Sequence, residues 1–539
     1  LNLKFLSLSL LPSGSVRQSG SVMVSIMNIP PKYTLWNEVQ LINETEQMDR
    51  FEEVPFPLSF NVRIFNITNP DEVLEGGVPV LNEVGPYVSR QLRKIEEMDE
   101  DTITYRRVDV LEFDEKASYP LTIEDRLTVV NVAYHGILQT AERMFPNLMG
   151  AMATALNGIF GENNGPIMTA RVGDLLFDGI PICKNPGLIG GIACMQIKSL
   201  AANVRNIELK EDDSLEFSLI RYKNQNPSDE YVVTRGLTDA LNLGIISTYN
   251  GSPYLNNWNQ DPEAEEGEPN VCNKIRGTDS GMFPPFVDRS KSIYALNTDI
   301  CRSVELRYEG DTSFEDIPVA RFAANEWFLD NHEGCFCLNT TDGITAENGC
   351  LLHGAMELYT CVGAFLVLTY PHFLYADFRY RNGVVGVSPS EQDHKIFVEL
   401  EPRTGTVVRG MKRAQFNIFM RQITSIPATR NLRTTLTPLI WVEEGMSLPD
   451  EYVNMLKTRL LQRLRLVDIL IPTIIAACCL VVAIGVAILI RSRTVRKTGD
   501  VTNDRENIRP ATTKPRQTIE RELYVYSVPF KIYFLIKVK

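Results

Sequence analysis

Apolar and polar residues alternate in blocks along this chain. In "LSFNVRIFNITNP", Leu58 to Pro70, Phe60, Val62, Ile64 and Asn66 share one side, a period of two that predicts a strand closed by an Asn-Pro turn. "VPVLNEVGPYV" and "TITYRRVDVLEF" repeat the pattern and predict further sheet segments. Between Ile123 and Phe160 the period changes. Ala, Met and Leu recur there at helical spacing, with a break at Pro146 and glycines at 150 and 158, which predicts an amphipathic helical pair. Its apolar side is a candidate contact surface, although a helical layer packed on a sheet would carry the same pattern. Strands resume in "SLEFSLIRY" and "EYVVTRG". After the acidic loop "NQDPEAEEGEPN", read as a solvated excursion, they return in "KIFVELEPRTGTVVRGMKRAQFNIFMRQI" and "TLTPLIWVEEG". No internal repeat is visible, and the pattern predicts one mixed, sheet-rich body with helical insertions.

One stretch obeys neither period. "ILIPTIIAACCLVVAIGVAILI", Ile469 to Ile490, has no charged residue and is long enough to cross a hydrocarbon core of about 30 Å at about 1.5 Å per residue. It predicts a transmembrane helix over 467–490, in which Pro472 is tolerable. Lys457, Arg459, Arg463 and Arg465 precede it and Arg491, Arg493, Arg496 and Lys497 follow, so flanking cations leave its orientation open. Cys478 and Cys479 within it read as small apolar residues.

Of 539 residues, 44% are hydrophobic and 22% charged, which excludes a disordered or fibrous chain. The formal charge is −13, yet residues 491–539 hold 12 Lys/Arg against 5 Asp/Glu, so the part before the apolar run is more acidic than the whole. An acidic body repels phosphate backbones, and no nucleic-acid partner is expected.

Eight of the ten cysteines precede the apolar run: Cys183, Cys194, Cys272, Cys301, Cys335, Cys337, Cys350 and Cys361. Their even number and crowding suggest disulfides. Cys335, Cys337, Cys350 and His353, with His332 nearby, would also suit tetrahedral zinc. Four glycosylation sequons, at Asn43, Asn66, Asn250 and Asn339, lie in the same region and favour an oxidising compartment. The acidic part is then extracellular or luminal and the basic tail cytosolic.

"NKIRGTDSGMFPPF" raises the question of catalysis, because Asp279-Ser280-Gly281 looks like a nucleophile turn. A serine nucleophile needs a general base and an oxyanion hole. None of the five histidines, His135, His332, His353, His372 and His394, lies in a base-carrying motif, and Asp-Ser-Gly more often caps a turn. The paired acids Glu443/Glu444 and Glu399/Glu401 read as a solvated strand edge rather than a glycosidase pair. No phosphate loop or metal-carboxylate cluster appears, and neither enzyme activity nor a cofactor is expected.

Several phrases then point one way. "FNITNPDEVLEGGVPVLNEVGPYV", "CNKIRGTDSGMFPPF", "DICRSVELRY", "AQFNIFM" and "TPLIWVEEGMSL" resemble, in that order, signature stretches of the scavenger receptor class B family, which includes fatty-acid translocase and a lysosomal integral membrane protein. "RGTDSGMFPPF" and "ICRS" are nearest in wording to its insect branch, the sensory neuron membrane proteins. The resemblance implies an α+β fold: a large irregular antiparallel β-barrel ectodomain over 41–466, a helical cap at about 123–160, an internal tunnel, a C-terminal transmembrane helix at 467–490 and a cytosolic tail at 491–539. It implies the pairs Cys272–Cys335, Cys301–Cys361 and Cys337–Cys350, which oppose zinc, and leaves Cys183–Cys194 as an extra short-loop pair. The family has a span at each end, so residues 1–40 are expected to be an atypical start lacking the first span.

The implied function is reception without chemistry. A hydrophobic ligand, a semiochemical or another lipid, would pass through the tunnel to the membrane or to an odorant receptor channel, with a ligand-carrier protein as a further partner. The alternative is a scavenger or docking receptor for lipoproteins or protein partners. Against capture of polyanions, the cap region sets Glu124, Asp125 and Glu142 against Arg126 and Arg143. The tail lacks a clear acidic dileucine signal, which favours the cell membrane over the lysosome. Ligand-binding residues are not readable from the sequence.

Overall fold

The computed structural model describes residues 39–96, 103–202, 204–259, 270–330 and 334–503. The first 38 residues, most of the acidic loop (260–269), His332 and the tail from 504 lie outside the described residues. The chain divides into two compact units, 1–462 and 463–539.

The first unit is built on a 13-stranded antiparallel sheet. Its strands are β1 (Leu58–Ile67), β2 (Leu81–Glu96), β3 (Ile103–Phe113), β4 (Tyr231–Val233), β5 (Ile246–Tyr249), β6 (Ile293–Asn297), β7 (Arg302–Phe314), β8 (Ile317–Ala324), β9 (Ala355–Glu357), β10 (Val367–Thr369), β11 (Ile396–Leu400), β12 (Val407–Met420) and β13 (Thr435–Ser447). The order is β5-β4-β3-β2-β1-β13-β12-β11-β8-β7-β6, with β10 also on β12 and β9 on β10. β1 thus pairs with both β2 and β13, so strands from opposite ends of the body meet at its centre. The alternation in β1 holds: Phe60, Val62 and Ile64 are buried. Beyond Ile64 both faces of the strand are covered: Phe65, against the His372 ring, and Ile67 are buried as well.

The path of the sheet is open, since β5 and β6 do not pair with each other. One short segment touches both. Ile246 N–H donates to the Gly277 carbonyl at 2.9 Å, while Thr278 donates to Tyr294 at 3.1 Å and accepts from Leu296 at 2.8 Å. Gly277 has φ +79°, and a Cβ there would collide with the Tyr294 carbonyl. Behind this seam, Ile103, Tyr105, Tyr231, Val233, Ile246, Ile275 and Leu296 form a second small core.

Three helices follow one another on the first unit: α2 (Val132–Met144), α3 (Met149–Phe160) and α4 (Gly187–Ala201), after a short α1 (Glu46–Glu52) earlier in the chain. The helical pair expected at 123–160 is α2 and α3, separated by a turn at Pro146. Its first residues differ from that expectation. Arg126–Val130 is a strand paired with Ile167–Arg171, because Thr128-Val129-Val130 is a β-branched run. α4 went unforeseen because its glycines lower helix propensity. Those glycines serve packing: Gly190 meets Gly158 of α3, where a Cβ would lie 3.0 Å from the Gly158 Cα. "SLEFSLIRY" is a strand only over Leu215–Phe217, and then turns into a short 3-10 segment.

The second unit contains the long helix α5, Gln462–Asn503. Its apolar part, Ile469–Thr494, spans 26 residues, and none of its most apolar window is buried by protein. Among the described residues it is the one helix long and apolar enough to cross a membrane.

Candidate functional site

Adjacent like charges inside a strand must point to opposite faces of the sheet. Four such pairs occur in the sheet: Arg93/Lys94 in β2, Arg106/Arg107 in β3, Lys412/Arg413 in β12 and Glu443/Glu444 in β13. Register decides which member goes inward. Lys412, Glu444, Phe60, Ser89 and Phe113 are directly opposed across five strands, and Ala414, Val442, Val62 and Tyr87 form the next row. Phe60 and Val62 belong to the main core, so this face looks inward. Yet Lys412, Ala414, Phe416, Val442, Glu444 and Met446 remain only half-buried. Lys412 keeps 36% of its side chain accessible. This accessible wall is apolar along Ala414, Phe416, Val442 and Met446 and charged at Lys412 and Glu444.

Around that polar end the charges are shared. Arg93 donates to Asp109 at 2.8 Å and to Glu444 at 2.6 Å, Arg107 lies 3.8 Å from Asp109, and Lys223 holds Asp299 at 2.5 Å. Lys412 stands 3.6 Å from Glu444. Burial would raise the Glu444 pKa, but Lys412 and Arg93 overcome that and hold it well below the ordinary carboxylate range. Burial lowers the Lys412 ammonium; Glu444 partly opposes this, and Arg93 and Arg107 reinforce it.

The cap helices offer a second feature. Thr154, Asn157 and Gly158 of α3 and Asn185 to Gly190 at the start of α4 line an open groove of about 490 Å³. Leu188, Ile192 and Met195 expose apolar side chains on α4, and Leu148 does so in the turn between α2 and α3. The charges in this region are locally engaged: Arg171 binds Glu124, Arg421 binds Glu142, Asp125 accepts from Tyr87, and Arg143 donates to the Thr340 carbonyl.

Ser280 sits in a turn with φ +72°, its N–H donating to Thr278 Oγ1 at 3.2 Å. Asp279 accepts from the Gly281 N–H at 2.9 Å and from the Tyr105 hydroxyl at 3.0 Å, which fastens the seam segment to β3. The structure contains the bonds Cys183–Cys194, Cys272–Cys335, Cys301–Cys361 and Cys337–Cys350. The sulfurs considered for zinc are thereby used, and His353 instead faces Asp330 at 3.7 Å.

The reading of the acidic pairs as a solvated edge is corrected. Glu399 is fully buried, flanked by its register partners Arg321 and Arg409 at 3.0 and 2.9 Å. Glu401, also buried, accepts from the Thr404 N–H at 2.8 Å, and Glu443 is held by Arg413 at 2.7 Å. Interior strands receive cations from both neighbours, which alternation within one strand cannot reveal. Among the sequons, Asn43, Asn250 and Asn339 are exposed, whereas Asn66 is half-buried and accepts from the Thr128 N–H at 2.8 Å.

A profile of the CD36 family matches residues 16–489. The chain belongs to the CD36 family. These are membrane receptor-type proteins, the scavenger receptor class B group, and the long apolar helix fits that class. Sensory neuron membrane protein 2 of Drosophila melanogaster is 34% identical over 483 residues, covering 79% of this chain and 86% of the relative. That of Aedes aegypti is 34% identical over 486 residues, covering 80% and 89%. Sensory neuron membrane protein 1 of Bombyx mori is 32% identical over 448 residues, covering 81% and 82%. Sequence reasoning in this CD36 family member missed the inward wall. Its one legible trace was the doubled like charges within strands, each of which forces one charge inside.

Proposed function

We propose that this protein is a receptor of chemosensory cells that takes up hydrophobic ligands, fatty-acid-derived semiochemicals among them, and passes them through its body to the membrane or to an odorant receptor channel. The accessible inward wall of β12 and β13 carries this reading. A dry space lined by Ala414, Phe416, Val442 and Met446 lowers the free energy of an alkyl chain by about 0.8 kcal/mol per buried methylene, with no catalysis required. The Gly277–Thr278 segment, bonded to both end strands, supports a sheet that curls into a barrel around a tunnel. The names of the relatives support the chemosensory role.

Four disulfides and the exposed sequons support residues 41–466 as the extracellular part, 467–490 as the span and 491–539 as the cytosolic tail. Asn43, Asn250 and Asn339 would carry glycans, and Asn66 would do so after giving way at Thr128.

The test is transfer. The full-length protein in vesicles, given a fluorescent long-chain alcohol, should load saturably and deliver it to acceptor membranes, and Ala414→Trp should slow delivery by about tenfold by filling the space. Absence of saturable loading would move the reading to a receptor that docks a lipoprotein or carrier protein on its cap. Exposed Leu188, Ile192 and Met195 favour that second reading, and Leu188→Asp with Ile192→Asp should then abolish docking.

A further inference from the structure

Two buried histidines, His372 and His394, stack with ring centroids 4.5 Å apart and planes 10° from parallel. Each gives its Nδ1 lone pair to a backbone donor: Ser388 N–H donates to His372 and Ser390 N–H to His394, both at 3.0 Å. Accepting at Nδ1 requires a neutral imidazole with its proton on Nε2, and His372 directs that proton to Glu83. The same glutamate accepts from the Trp441 indole at 3.0 Å, and the Arg63 guanidinium lies 4.2 Å over the Trp441 ring. Residues 384–390 are thus fastened by the two imidazoles and by Val385, which donates to the Pro79 carbonyl and accepts from the Leu81 N–H, both at 2.9 Å. The turn that carries His372 is strained: His372, Phe373 and Tyr375 have φ of +54°, +59° and +60°, a region unfavourable to any residue with a Cβ. It is held in place by the His372 N–H on Gln415 Oε1 at 2.7 Å and by the ring bonds to Glu83 and Ser388.

We propose that the His372–His394 stack is an acid-operated latch with His394 as its trigger: it holds 384–394 against the sheet at neutral pH and loosens in acid while the rest of the body stays folded. A proton enters the stack at an Nδ1, where it meets a backbone N–H and turns that hydrogen bond into a clash of two donors. At His394 the bond lost is that of Ser390, whose Oγ also caps the short helix Glu391–His394. Burial disfavours an imidazolium at His394 most; His372 and Arg413 of β12 add to this, and Glu83 of β2 and Asp393 of the short helix only partly oppose it, so the pKa falls from 6.5 to about 4. Arg63 of β1 and Glu443 of β13 belong to the same cluster, but Arg63 is engaged with Glu83 at 3.5 Å and Glu443 with Arg413 at 2.7 Å. Lys395, next in the chain, turns to Glu309 and Glu391. An opened segment returns His394 to its ordinary 6.5, so the closed form is fully favoured above that pH and loses ground as pH falls toward about 4.

The experiment is hydrogen exchange on the full-length protein in nanodiscs at pH 7.5, 6 and 5, with peptides over 384–394 compared with peptides over β7 and each corrected for its intrinsic exchange rate. Opening of 384–394 should rise roughly thirtyfold from pH 7.5 to pH 5, the ratio required by a pKa of 6.5 when open and about 4 when closed, while β7 keeps its protection. His394→Gln keeps an acceptor for the Ser390 N–H but takes up no proton in this range, and should flatten the pH dependence of 384–394. Unchanged protection of 384–394 in wild type overturns the proposal without recourse to any variant. An equal loss in β7 also overturns it, because the event is then global acid unfolding. A thirtyfold rise that persists in His394→Gln overturns it as well, since the proton then acts elsewhere.

Discussion

Single residues here carry charge to places the solvent does not reach. Glu399 lies between Arg321 and Arg409 with no exposure of its own, so Glu399→Ala leaves two cations without their shared carboxylate. Because Arg321 keeps Glu309 at 3.1 Å and both arginines are partly exposed, it should destabilise the protein by about 1–3 kcal/mol, whereas Glu112→Ala, which breaks the exposed pair with Arg90, should cost less than about 1 kcal/mol. Thermal unfolding of the two variants in detergent checks the contrast. His135 on α2 is the second case. It is buried against the Pro166 carbonyl, and burial lowers its pKa from 6.5 to about 4. A histidine whose folded pKa is depressed contributes stability that is full above pH 6.5 and is lost as pH falls through about 4, because the unfolded chain binds the proton first. The loss should reach about 3 kcal/mol at low pH, and melting temperatures between pH 7.5 and 4.5 should fall less steeply in His135→Gln.

At the scale of elements, glycine positions separate close packing from simple tolerance. Gly277 combines φ +79° with a Cβ site occupied by the Tyr294 carbonyl, so Gly277→Ala should cost more than about 2 kcal/mol and loosen the joint between β5 and β6. Gly136, inside α2 with nothing within 4 Å of its Cβ site, is the opposite case. Gly136→Ala should stabilise by about 0.5–1 kcal/mol, and hydrogen exchange at Ile246 and Leu296 should rise in the first variant alone. Strands such as β1 and β3 were legible in the alternation because one face lies in the core, whereas β9 and β10, buried on both faces, carry no alternation to read. The cap was legible only in part: the period found α2 and α3, but α4 depends on Gly158 and Gly190 meeting, a contact between residues far apart in sequence.

For the whole molecule, Cys272–Cys335 and Cys301–Cys361 join residues 63 and 60 apart in sequence and should dominate tolerance to reduction. Cys301–Cys361 closes a separation of 60 residues, so Cys301→Ser with Cys361→Ser should cost about 4 kcal/mol, against about 3 kcal/mol for Cys183–Cys194 with a separation of 11. Surface expression and thermal stability of the two double variants would rank them. By itself the sequence determined the family, the long apolar helix, the main strands and the turn role of Asp279-Ser280-Gly281, because each is written in local period, length or a contiguous motif. Only the tertiary structure decided which carboxylates are buried, that Gly277–Thr278 bonds both ends of the sheet, and that Lys412 shares the face of Phe60 while Arg413 lies on the other. Those depend on register between strands such as β1 and β13, which lie hundreds of residues apart. Register is set by the packing of the whole core, and no local pattern encodes it.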